Sequence, residues 1–175
     1  MLNIVNRPIN AWTVRALQLI GTEVVLDVGF GGGVGLELVR ARLTSGRVVG
    51  VDISAEMVHA AARRFDGDRV GVLRADVAAL PFEDASFDRA YSVNSVFFWP
   101  DAEAGLREIK RVLRPGGLAV VAGPTSAFLL ARVAGLAPPS APGGPGDVRR
   151  IAGAVGFREV RHHRVLGAVL IVARR

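Results

Sequence analysis

Apolar and polar positions alternate along the chain in two rhythms. Five short apolar runs, rich in β-branched residues and bounded by turn formers, predict strands: "EVVLDVG" (23–29), "RVVGVDI" (47–53), "RVGVLRAD" (69–76), "DRAYSVN" (88–94) and "LAVVAG" (118–123). Between them "VGLELVRARL" (34–43), "SAEMVHAAARRF" (54–65) and "AEAGLREIKRVL" (102–113) carry helical spacing, and "WTVRALQLI" (12–20) predicts an opening helix. Ser54 and Asp101 stand where N-caps belong, because their side chains can accept from the first free N–H groups of the helices they precede. "RPGG" (114–117) predicts a turn that stops the helix before strand five. A Pro/Gly-rich stretch, "LAPPSAPGGPG" (136–146), reads as a loop or lid. A short helix in "DVRRIAGAVG" follows, then two strands near 157–164 and 168–173, close enough for a hairpin.

Strand–helix alternation through the first two-thirds predicts an α/β fold, a parallel sheet with helices on both faces. A chain of 175 residues with no repeat and no linker fits one domain. In such sheets a ligand sits beyond the carboxyl ends of the strands, at the switch point beside the first strand. That place is taken by "VLDVGFGGGVG" (25–35), which puts four glycines within five positions. A dinucleotide site wants G-x-G-x-x-G, but counting from Gly29 or Gly31 the sixth position is Val34 or Leu36. A phosphate loop ends in G-K-[ST], and the chain's one lysine is Lys110. The pattern present is D-x-G-x-G-x-G, made by Asp27, Gly29, Gly31 and Gly33.

This pattern resembles motif I of the class I S-adenosylmethionine-dependent methyltransferases, in particular the small-molecule branch with the type 11 methyltransferase domain. The resemblance continues in order through "VVGVDIS", "RADVAALPFEDASFD", "FDRAYSVNSVFFWPD" and "LREIKRVLRPGG". It implies a Rossmann-like three-layer sandwich with a seven-stranded, mostly parallel sheet in the order 3-2-1-4-5-7-6, strand 7 antiparallel. It also implies S-adenosyl-L-methionine as cofactor. Asp27 would reach its methionine end, with Gly29, Gly31 and Gly33 forming the loop. Asp52 would hold both ribose hydroxyls, a carboxylate having acceptors for the two donors of a cis-diol. Ile53 would pack on the adenine, Asp76 would accept from its amino group, and the Val77 N–H would meet a ring nitrogen. Asn94, at the exit of strand four, would hold the cofactor's amino end or position a substrate.

The chain departs from its relatives after strand four. Many carry two histidines there; this chain has Phe97, Phe98 and Trp99 in "VFFWPD". An apolar, aromatic substrate mouth follows, built by these three rings, with at least one ring expected to plug the core. Asn6, Asn10 and Trp12 are candidates for a lid over the site. No general base stands out. His59 lies within a helix, and His162 and His163 lie in "REVRHHR", whose charge suits a sheet edge. Tyr91 falls one position too deep. The expected division is 1–21 N-terminal helical lid, 22–123 cofactor-binding core, 124–146 short lid insertion and 147–175 C-terminal helix and hairpin. So short an insertion leaves the mouth open and makes a homodimer a candidate way to complete it.

Charge and composition adjust this picture little. The formal charge of +6 raises nucleic acid as a partner. The arginines are scattered without interleaved aromatics, and the Asn/Asp-Pro-Pro-aromatic motif of amino-methylating relatives is missing after strand four. A small-molecule substrate is therefore preferred. Cysteine is absent, which excludes disulfides and thiolate metal sites, and no metal is expected. "LAVVAGPTSAFLLARVAGL" (118–136) is broken by Pro124 and Arg132, so no membrane span and a cytoplasmic location are expected. A cofactor-binding accessory protein without catalysis stays open as an alternative, with nucleic-acid methylation and nicotinamide chemistry behind it.

Overall fold

The structure, a computed structural model, describes residues 2–65, 69–124, 126, 134–136, 138, 140–165 and 168–175, with side chains from residue 7 onward. The strands are β1 (Val24–Val28), β2 (Arg47–Asp52), β3 (Val70–Arg74), β4 (Phe87–Val93), β5 (Leu113–Pro124), β6 (Arg158–Val165) and β7 (Ala168–Arg174). The helices are α1 (Leu2–Ala16), α2 (Val34–Arg40), α3 (Ala55–Arg64), α4 (Ala102–Val112) and α5 (Pro145–Ala154). All seven strands form one sheet in the order β3-β2-β1-β4-β5-β7-β6. β7 is antiparallel to both its neighbours, and the other pairs are parallel. This is the Rossmann-like order expected above.

Each face of the sheet is covered because the central strands are apolar on both sides. On one face Ile9, Val14 and Leu17 from the N-terminal segment, Leu36 and Val39 of α2 and Ala61 of α3 pack over Val25, Val48 and Val120. On the other face Leu106, Ile109 and Val112 of α4 and Val148 and Ala152 of α5 pack over Leu26, Val51 and Val121. Both predicted caps form. The Ser54 side chain accepts from the Met57 N–H at 3.3 Å and Asp101 from the Ala104 N–H at 2.8 Å. Asp88 is structural: it accepts from the Val24 N–H and from Arg114. Burial alone would raise its pKa, but those two donors outweigh it and hold the carboxyl below its usual value.

Two elements differ from expectation. The opening helix was expected over 12–20; it spans Leu2–Ala16, with Pro8 inside it. Buried Ile9 and Asn10 dock its middle, and Glu23 ends the run by accepting from the N–H groups of Ile20 and Gly21. "RPGG" was expected as a turn closing α4. Instead β5 begins at Leu113, directly after α4, and Arg114–Gly117 bulge within it. The register with β4 passes from Phe87↔Leu113 to Arg89↔Leu118, so the four bulged residues stand opposite Asp88 alone. Gly116 takes φ +78, which suits glycine, and the Arg114 guanidinium holds the bulge to Asp88 at 2.5 Å. Of the lid insertion, 124–146, residues 125, 127–133, 137 and 139 lie outside the described residues.

Candidate active site

The carboxyl ends of β1, β2 and β4 open into a cleft with two lobes. One lobe, of about 450 Å³, is an apolar slot lined by Val51, Ile53, Ala75, Val77, Phe98 and Trp99, with Asp52 and Asp76 on its rim. The other, of about 710 Å³, is lined by the glycine loop together with Asn10, Asp27, Asn94 and Phe97. Gly29, Ser95 and Phe98 line both lobes, so the two are one continuous site.

The loop's glycines have different reasons. All three of Gly29, Gly31 and Gly33 have positive φ, at +73, +50 and +74. A Cβ on Gly29 would stand 2.6 Å from the Cβ of Ser95, and one on Gly33 would stand 3.1 Å from the Phe65 ring. Those two glycines admit neighbouring side chains. A Cβ on Gly31 would meet nothing within 4 Å. Its freedom serves the backbone turn and leaves the cleft floor open. Arg64, at the end of α3, ties that helix to this loop by donating to the Gly32 carbonyl at 3.1 Å and pairing with Glu37.

Asp52 joins loop and slot. Its Oδ2 accepts from the Gly31 N–H and its Oδ1 from the Ser54 N–H, each at 2.9 Å. A carboxylate has about four acceptor sites, so lone pairs remain for a diol. Ile53 is 62% exposed and Phe98 49% exposed, and both line the slot. Exposing two large apolar side chains on one concave surface is unfavourable in an empty cleft and suits a flat ligand between them. Asp76 is exposed, and its Oδ1 accepts from the Ala78 N–H in an Asx turn at 2.9 Å. The Val77 side chain belongs to the core.

Asp27 lies at the bottom of the polar lobe and is 2% exposed. The Tyr91 hydroxyl donates to its Oδ2 at 2.6 Å. Burial, reinforced by the nearby Asp52 charge and opposed by the Tyr91 bond, pushes the Asp27 pKa up to about 7. Burial and the Asp27 charge hold the phenol well above its usual value, so it stays a donor. Tyr91 was set aside from the sequence as too deep. It is nonetheless the register partner of Asp27 across β1 and β4, and cross-strand partners share a face. Asn94 sits at φ +61 at the exit of β4, its N–H donated to the Ala122 carbonyl at 2.8 Å.

The three rings after β4 divide their roles. Phe97 is 3% exposed and fills the space left by Gly123, where a Cβ would be 2.9 Å from the ring. Trp99 is 6% exposed, packs on Gly105 and donates its indole N–H to Ser95 Oγ at 3.2 Å. Phe98 is the exposed ring of the three, while Phe97 and Trp99 border the cleft from within the core. Trp12 does not reach the cleft; it stands with His163 and Leu170 beside β6 and β7. Among the described side chains of α1, Asn10 lines the cleft. The Asn6 side chain lies outside the described residues. His59, His162 and His163 are exposed and line neither lobe.

Residues 26–121, more than half of the chain, match the family model described as "Methyltransferase domain", and the chain belongs to that family, the class I S-adenosylmethionine-dependent methyltransferases. The "Uncharacterized methyltransferase YdaC" of Bacillus subtilis (strain 168) is 31% identical over 116 residues, which are 66% of this chain and 64% of that protein. The 2-methyl-6-phytyl-1,4-hydroquinone methyltransferase 1 of Oryza sativa subsp. japonica is 33% identical over 57% of this chain and 30% of its own length. The chain thus spans less than two thirds of the curated relatives it matches. A solved S-adenosylmethionine-dependent methyltransferase from Mesorhizobium loti shares the fold, with a TM-score of 0.77 at 19% identity over 95% of this chain and 98% of that one. Among the described residues no helix is long and apolar enough to cross a membrane.

Proposed function

We propose that the chain transfers a methyl group from S-adenosyl-L-methionine to a small, largely apolar acceptor. The observation that carries this is the two-lobed cleft, an apolar slot joined to a polar lobe at Asp52 and Gly31. Such a shape suits a ligand with a flat nucleobase at one end and a charged amino acid at the other. Adenine would lie between Ile53 and Phe98, with Asp76 and the Val77 N–H at its edge. Asp52 would take the ribose hydroxyls. Asp27, Asn10 and Asn94 would surround the amino-acid end above the open face of Gly31.

The cofactor supplies an electrophilic methyl group; the chain's own part is to place the acceptor in line behind it and to exclude water. The titratable residues lining the two lobes are Asp27, Asp52 and Asp76. With the histidines remote, catalysis by positioning is favoured over a dedicated histidine base, and Phe98 with Phe97 and Pro124 would form the acceptor's apolar wall. The hydroquinone relative supports an aromatic or apolar acceptor. A second reading, cofactor binding without turnover, rests on there being no histidine among the described residues that line the cleft. In both readings the first residues, 1–21, act as lid through Asn10, and a second copy of the chain would close the mouth.

The test is direct. S-adenosylhomocysteine should bind at about micromolar affinity and be displaced by adenosine but not by NAD. Labelled methyl should then pass to members of a phenol and quinol panel. Failure to bind would end the proposal, and binding without turnover on any acceptor would favour the second reading. Phe98→Ala should weaken nucleoside binding by about tenfold, in line with the loss of an aromatic contact and its buried area, with little change in Tm. Trp99→Ala should instead cost about 3–5 kcal/mol of stability, because its ring is core. Equal losses of Tm in the two variants would refute this division of the aromatic exit.

A further inference from the structure

Asp27 and Tyr91 face each other across the β1–β4 ladder on the side covered by α1 and α2. Tyr91 is among the largest fully buried side chains of the protein, yet its polar end is aimed at the site. A Cβ at Gly35 would be 2.7 Å from the Tyr91 hydroxyl and 3.0 Å from Asn10 Oδ1, so α2 carries a glycine where phenol and amide converge. Tyr91 occupies Oδ2 of Asp27. Oδ1 accepts no hydrogen bond among the described residues, and Asp27 lines the polar lobe. A buried carboxylate anchored at one oxygen can aim the other in only one direction.

We propose that Tyr91 is a positioning residue for the cofactor: its hydroxyl orients the Asp27 carboxylate to receive the α-ammonium of the amino-acid half, and this makes cofactor binding proton-linked. The inference rests on the cleft being the S-adenosylmethionine site. The cleft fits such a partner, because among the described residues no basic side chain acts on this deeply buried carboxyl. The titratable groups acting on it are Tyr91 from β4 and Asp52 from β2, while α1 and α2 bring Asn10 and Gly35, which carry no charge. Burial leaves Asp27 titrating at about 7 in the free chain. An ammonium beside it favours the ionised form. Binding below that pH must therefore expel the carboxyl proton, and affinity must rise as pH rises towards 7 and level off above it. Removing the Tyr91 hydroxyl takes away a donor that favours the ionised form, so the midpoint must move up.

Calorimetric titration of the whole chain with S-adenosylhomocysteine from about pH 5.5 to about pH 8 tests this. Methylthioadenosine serves as control, having the same nucleoside and no amino acid. S-adenosylhomocysteine should lose about tenfold in affinity per pH unit below the midpoint and release about one proton per ligand, read from buffers of different ionisation heat. Methylthioadenosine should show a flat profile. Tyr91→Phe keeps the ring; it should raise the midpoint for S-adenosylhomocysteine and leave methylthioadenosine unchanged. Asp27→Asn should abolish the pH dependence, and it decides the matter should the phenylalanine variant not fold. A flat wild-type profile, a profile retained in Asp27→Asn, or a midpoint unmoved in folded Tyr91→Phe overturns the inference while leaving the cofactor site standing. Binding of neither ligand at any pH overturns both.

Discussion

Asp52→Ala is expected to weaken S-adenosylhomocysteine binding by about two orders of magnitude or more. The side chain has two jobs in one place. Its oxygens already fix the loop through Gly31 and the start of α3 through Ser54. In the proposed complex the remaining lone pairs take two ribose hydroxyls. Each hydrogen bond to a charged group is worth about 1.5–3 kcal/mol. Two of them amount to about 3–6 kcal/mol, a factor of about a hundred to ten thousand. Losing the loop's anchor adds to this. The fold should survive, since both freed N–H groups lie at the partly exposed cleft floor, where water can replace the carboxylate. The ribose role can be separated from the loop role by a double-mutant cycle. Replacing adenosine by its 2′-deoxy form should cost affinity in the wild type and almost nothing in Asp52→Ala. Equal costs in the two proteins would leave Asp52 as a loop anchor and nothing more.

The residues differ in how far the sequence announced them, and the reason is physical. Asp27, Asp52 and the glycines sit at strand ends, where period and punctuation mark them and where α/β sheets gather their ligands. The caps at Ser54 and Asp101 are equally local, each decided by a side chain and an N–H three residues away. What escaped was set by contacts between distant segments. Tyr91 belongs to the site because β4 lies beside β1 in a register that pairs it with Asp27; its own stretch shows only a buried strand. The strand order expected from the resemblance would have found it, had the partners been aligned across the two strands. The roles of Phe97 and Trp99 depend on Gly123 and Gly105, which make room for their rings from two other elements. The extent of α1 was hidden by Pro8, which local rules treat as a break and which the docking of Ile9 and Asn10 overrides. The "RPGG" bulge was masked by its resemblance to a helix stop. Only the partner strand, with Asp88 opposite it, shows that the chain is already in the sheet.

Gly31→Val is expected to abolish cofactor binding with little loss of structure, and the loop's geometry makes this contrast sharp. At φ +50 a β-branched residue is strained by about 1–3 kcal/mol. For a domain of this size that corresponds to a fall in Tm of about 2–12 °C. The new side chain meets no protein atom within 4 Å of its Cβ, so packing adds no further penalty. Its two methyl groups project into the cleft, above the N–H that Asp52 holds, where the ligand's backbone-facing side must lie. Gly31→Ala gives an intermediate case, with the same left-handed strain and a smaller intrusion. Gly29→Ala is the opposite control. Its Cβ would lie 2.6 Å from Ser95 Cβ and 2.7 Å from Ser95 Oγ, so something in the core of the turn must move. That variant should lose more stability than Gly31→Val, and with it the junction of the two lobes. Thermal melting with and without S-adenosylhomocysteine reads both effects together. A folded Gly31→Val chain whose Tm still rises with ligand, as in the wild type, would show that the ligand does not pass over Gly31, and the glycine at the open floor would be a tight turn only.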